Sequence, residues 1–122
     1  MHTNLLDPRR LILCGRINAE RVAETATALK PSGVRVSQHC IDVADAEAMR
    51  ALPAAIVAEH GGVNILINNA GVSVLKTFEE HTVDDFEWLM GINFWGVVYG
   101  CKFFLPELRR AEEAHIVNTS SM

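Results

Sequence analysis

The apolar run Val63-Asn64-Ile65-Leu66-Ile67 ends in Asn68-Asn69-Ala70-Gly71, and this junction constrains the fold more than any other stretch of the chain. A short apolar run that stops in turn residues reads as a buried parallel strand, and open α/β sheets hold their ligands at the carboxyl ends of such strands. Gly71 permits a turn or a close approach that a Cβ would obstruct, while Asn68 and Asn69 offer donors and acceptors to a ribose or to neighbouring main chain. An ordinary strand-to-loop turn uses the same residue types, so the junction alone leaves both readings open.

The rest of the sequence alternates strand and helix, which predicts a parallel sheet covered on both faces. A strand is expected from about Arg10 to Gly15, followed by a helix capped by Asn18, with Val22, Ala26 and Leu29 on one stripe and Pro31 and Gly33 at its end. Val34 to Ile41 reads as the next strand. Asp45 caps a helix whose Met49, Leu52 and Ile56 share a face, with Gly61 closing it and a kink expected at Pro53. Thr82 and Asp85 form a short-arm capping box, and the helix they start is expected to run to about Leu105, stopped by Pro106.

That last helix is apolar nearly all round from Phe86 to Leu105, so one side faces the sheet and another needs a cover. Its most apolar stretch, Trp88 to Cys101, contains Asn93 and is too short to span a bilayer. A net charge of −4 gives no basic footprint for nucleic acid or an anionic membrane, so the expected partners are small molecules and copies of the chain itself. Cys14, Cys40 and Cys101 have no metal-ligand spacing and read as small packed hydrophobes, and scattered cysteines suit a reducing cytoplasm. His39, His60, His81 and His115 read as loop, strand-end or cap residues, and no metal site is expected. Residues 1–9, with Asp7-Pro8 interrupting the only apolar pair, do not read as a signal peptide.

Two further segments, Ile92-Asn93-Phe94-Trp95-Gly96-Val97-Val98-Tyr99-Gly100 and His115-Ile116-Val117-Asn118-Thr119-Ser120-Ser121, follow the Asn-Asn-Ala-Gly junction. In this order and at these spacings the three closely resemble the short-chain dehydrogenase/reductase family, from Arg10 onward. The resemblance implies a Rossmann-like three-layer α/β/α fold with a parallel sheet, partial here over residues 10–122, after a segment 1–9 outside the family pattern. It implies hydride transfer between a nicotinamide and an alcohol or carbonyl substrate. The family's Asn, Ser, Tyr and Lys tetrad maps its Asn onto Asn93 and its Ser onto Ser121. The Tyr-x-x-x-Lys pair belongs about a dozen residues beyond Ser121, past Met122. Tyr99-Gly100-Cys101-Lys102 has the wrong spacing and position for it and is assigned to packing.

The family also opens with a strand and a glycine-rich turn for the pyrophosphate. Here the one glycine before Gly33 is Gly15, whose strand fits the family's second. The absent first strand belongs between the family's second and fourth strands, the ones expected here at Arg10–Gly15 and Val63–Ile67. Arg16, where NAD-specific relatives place a carboxylate for the ribose 2′-hydroxyl, favours NADP(H) over NAD, because a guanidinium pairs with a 2′-phosphate. Asp42 and Val43 resemble the pair that meets adenine, and Asn69, Ala70 and Gly71 line the adenosine side of the cleft. The helix of Asn93 corresponds to a subunit interface in the family, which implies a homo-oligomer. A noncatalytic relative, serving as a nucleotide-binding or assembly module, is the alternative reading.

Overall fold

The computed structural model describes residues 10–15, 19–33 and 35–121. Strand β1, Arg10–Gly15, pairs in parallel with β2, Arg35–Cys40, through the helix α1, Ala19–Leu29. Helix α2, Ala46–His60, leads to β3, Ile65–Asn68. A long helix then runs to the last strand, β4, His115–Asn118, which pairs in parallel with β3. The parallel sheet expected from the alternation is therefore present as two pairs. Among the described residues no ladder joins β1 to β3, which is where the reading from sequence placed an absent strand.

Local chemistry sets the helix ends. The Asp45 carboxylate accepts from the backbone N–H groups of Glu47 and Ala48, each at 3.1 Å, satisfying two donors that the first turn leaves open. Gly61 closes α2 with a φ of 85°, and Gly33 ends the turn after α1 with a φ of 73°; both lie in the left-handed region that glycine enters without steric cost. Asn18 lies outside the described residues. Pro53 is buried inside α2, and one helix continues across it.

The long helix begins as α3, Val83–Met90, passes through a π-helical turn at Gly91–Trp95 and continues as α4, Gly96–Leu108. Its capping box is reciprocal: Asp85 N donates to Thr82 Oγ1 and Thr82 N donates to Asp85 Oδ2, both at 3.1 Å. The helix ends at Leu108, not before Pro106. The proline ring removes a single amide donor near the C-terminus, and the turn still closes with Arg109 N donating to Leu105 O at 3.0 Å. The whole span, Val83–Leu108, covers 26 residues and is long and apolar enough to cross a membrane. The limit drawn from Trp88 to Cys101 alone was thus too short. In this fold the span is a core helix on one side: Ile92, Gly96, Gly100, Phe104 and Leu108 are buried, and its α4 part packs against α2, β3 and β4.

The main core lies between α2 and α4, where Met49, Leu52 and Ile56 meet Val63, Phe104 and Leu108. The opposite side of the long helix stays open, with Trp88, Phe94 and Trp95 all more than two-fifths exposed. Strand β2 departs from expectation at its cysteine. Cys40, at the end of β2, is exposed and does not pack as a hydrophobe, because its side chain falls on the outward position of the strand. Ser37 is the buried residue of β2, and it accommodates the buried His60, whose Nε2 lies 2.8 Å from its Oγ. His39 Nε2 lies 3.2 Å from the same hydroxyl and 3.7 Å from Glu59 Oε2.

Candidate functional site

The carboxyl ends of β3 and β4 are fastened side by side. Asn68 pairs in register with Asn118, and its Nδ2 donates to Asn118 Oδ1 at 2.8 Å. One residue further on, Thr119 N donates to Asn68 O, and Thr119 Oγ1 donates to Asn69 Oδ1, each at 3.0 Å. Because the strands are parallel, Asn69-Ala70-Gly71 and Thr119-Ser120-Ser121 leave the sheet at the same edge, and all six residues are exposed. That edge is where a parallel sheet leaves backbone groups free for a ligand.

Asn93 reaches this edge from the long helix. Its Oδ1 accepts from Val72 N and its Nδ2 donates to Val72 O, both at 2.8 Å, so the amide replaces a strand partner for the segment just past Gly71. The side chain projects from the π-helical turn, in which Gly96 N donates to Gly91 O, five residues back. Such single-turn π segments re-aim side chains and concentrate at functional sites.

Gly71 itself differs from expectation. A Cβ there would sit 3.5 Å from Asn93 Oδ1, an ordinary contact, and the described glycines with positive φ are Gly33 and Gly61. The close approaches fall instead on the helix. A Cβ on Gly96 would come within 2.8 Å of Val43 Cγ2, and a Cβ on Gly100 would collide with the Asn68 amide.

The end of β2 supplies Asp42 and Val43. Asp42 Oδ1 accepts from Ala44 N at 3.0 Å, and Asp42 O accepts from Asp45 N at 2.9 Å, so the residue folds the turn into α2. Val43 is half-buried against Gly96, three residues beyond Asn93 on the long helix. Val43 thereby abuts the helix that carries Asn93, while Asn69, Ala70 and Gly71 share an edge with Ser121. Arg16 lies outside the described residues. Tyr99 stacks between Trp95 and Phe103, at centroid distances of 5.8 and 5.7 Å, in keeping with a packing role.

Thr119 and Asn118 escaped the reading from sequence as members of this edge, although both stand beside Ser121 in the motif used to place it. The carboxylates with shifted acidity lie further along, Glu80 on the loop before α3 and Asp85 in the first turn of α3. The Lys76 ammonium, at 2.9 Å, and the Thr82 amide hold Asp85 below its ordinary value, and the Thr77 amide and hydroxyl do the same for Glu80. Among the described residues no cluster of His, Cys, Asp and Glu could hold a metal ion.

Residues 6–122 match the family described as short chain dehydrogenase. The chain belongs to this family. It is 34% identical over 119 residues to a Mycobacterium tuberculosis protein named as the oxidoreductase SadH, covering 98% of this chain and 43% of that one. A short-chain dehydrogenase/reductase from Burkholderia phymatum, solved in complex with NAD, superposes with a TM-score of 0.85 at 34% identity, over 92% of this chain and 40% of the other. An alcohol dehydrogenase from Thermococcus sibiricus, complexed with 5-hydroxy-NADP, gives a TM-score of 0.84 at 28% identity, over 92% and 47%. The short-chain dehydrogenase chain thus has the Rossmann-like fold of these proteins and spans less than half the length of the curated relatives it matches.

Proposed function

We propose that this chain forms the adenosine-side and substrate-facing part of an NADP(H)-dependent oxidoreductase that moves hydride between the nicotinamide and an alcohol or carbonyl substrate. The observation that carries the reading is the Asn93 clamp on Val72 beside the paired ends of β3 and β4. It sets an amide from a helix against the open edge of a parallel sheet, next to the strand that leads to Ser121. The cofactor supplies the hydride, and the protein orients substrate and handles the proton.

In this reading Ser121 orients the substrate oxygen by its hydroxyl, and Asn93 supports a proton relay. Asp42, Val43, Asn69, Ala70 and Gly71 hold the adenosine half of the dinucleotide. The residues present suit that half: Asn69, Ala70 and Gly71 are exposed at the sheet edge, and Asp42 lies just beyond the end of β2. Arg16 pairs with the 2′-phosphate, the basis for NADP(H) ahead of NAD. The open aromatic side of the long helix, bearing Trp88, Phe94 and Trp95, is covered by a second subunit, and the protein works in the cytoplasm.

The 122 residues carry no Tyr-x-x-x-Lys pair, so the chain by itself is expected to turn over substrate negligibly. Following NADPH absorbance with a broad panel of aldehydes and ketones tests this division of labour. Negligible oxidation agrees with it, and robust turnover by the 122-residue chain contradicts it.

A further inference from the structure

Asn68, the last residue of β3, is gripped on two sides. One hydrogen of its Nδ2 goes to Asn118 Oδ1 at 2.8 Å, and Nδ2 also donates to Cys101 Sγ on α4 at 3.4 Å. An amide nitrogen carries two hydrogens, and these two acceptors use both. Helix α4 passes directly over the group, since a Cβ added to Gly100 would lie 3.2 Å from Asn68 Cγ and collide with Oδ1. Gly100 therefore brings the helix close enough for the neighbouring sulfur to reach the amide.

We propose that Cys101 is a positioning residue for the segment Thr119–Ser121. Its sulfur accepts the second amide hydrogen of Asn68 and holds that amide in the orientation that donates to Asn118. Beside it the main-chain carbonyl of Asn68 accepts from Thr119 N at 3.0 Å, so the side-chain bond to Asn118 and this backbone bond together set the direction in which the chain continues to Ser121. An amide turned end for end would set its oxygen against Asn118 Oδ1 and lose that bond. The role in the reaction rests on the reading of Ser121 given above, whereas the contacts that create it do not.

Amide hydrogen exchange read by NMR on the 122-residue chain tests the inference. In Cys101→Ala the Thr119 amide is expected to exchange roughly fivefold faster, the scale of a weakened hydrogen bond, while the amides of Ile56 and Phe104 in the core keep their rates. The Asn68 side-chain amide and Ser121 backbone signals move in the same variant. Cys101→Ser, whose oxygen accepts the same hydrogen, restores both rate and signals. An unchanged Thr119 rate in Cys101→Ala, equal acceleration of every amide, or a serine variant as fast as the alanine one would overturn the proposal. No dinucleotide enters this measurement, so a failure to bind NADPH would count against the functional reading and leave the exchange result standing.

Discussion

The Asn93 side chain closes both backbone groups of Val72, with oxygen and nitrogen each 2.8 Å from their partners. A helix thereby holds in place a loop that has no strand beside it. Asn93→Asp keeps the acceptor, loses the donor and sets a carboxylate against the Val72 carbonyl. It should destabilise the chain by about 1–2 kcal/mol and accelerate exchange at the Val72 amide. Urea denaturation together with exchange at that single site measures both effects.

Val43 fills the space that a side chain at Gly96 would need. Gly96→Ala should cost about 1–3 kcal/mol, the usual penalty for overpacking. Adding Val43→Ala should recover part of that loss, because the obstructing methyl groups leave. A double-mutant cycle by urea denaturation reads the coupling, and strict additivity would show that the two residues do not share the space.

Ser37 and His60 form a buried polar contact between β2 and the end of α2. Ser37→Ala removes the hydroxyl and should cost about 1–3 kcal/mol, more than an outward substitution such as Gln38→Ala on the same strand. Replacing both partners by apolar residues, Ser37→Val with His60→Leu, should restore much of the stability. Thermal unfolding of the four proteins distinguishes these outcomes.

Acid should loosen the turn between residues 76 and 85. Asp85 is held below its ordinary value, first by the hydrogen bond from Lys76 and then by the Thr82 amide, and Glu80 by the Thr77 amide. A carboxylate whose folded value is depressed stabilises the fold above its unfolded value, near pH 4. That contribution disappears as pH falls through the lower folded value. Stability measured from pH 6 down to pH 2 should show the loss, and Asp85→Asn should lower stability at pH 6 while flattening the acid slope.

Much of this architecture was legible in the sequence wherever the deciding chemistry is local. Asp45 sits two and three residues from the amides it caps, Thr82 and Asp85 complete each other's bonds, and Gly61 stands where a helix must turn left-handed. The parallel sense of the strands followed from the alternation of strand and helix along the chain. The missed features depend on partners distant in sequence. Ser37 faces inward because His60, 23 residues away, offers a nitrogen to its hydroxyl. Gly96 and Gly100 are required by Val43 and Asn68, which no spacing rule connects to them. At Pro106 the local rule was applied too strongly, since a proline so close to a helix end removes one bond and leaves the closing turn intact.

The proposed function requires an adenine dinucleotide to lodge against the segment just past β2 and the paired ends of β3 and β4. Titrating the 15N-labelled chain with NADP+ and following every backbone amide tests that directly. The predicted result is a set of saturable shifts concentrated at residues 42–44 and 69–72, larger with NADP+ than with NAD+ at equal concentration. Shifts absent from both segments at saturating nucleotide, or confined to the α1 surface, would contradict it.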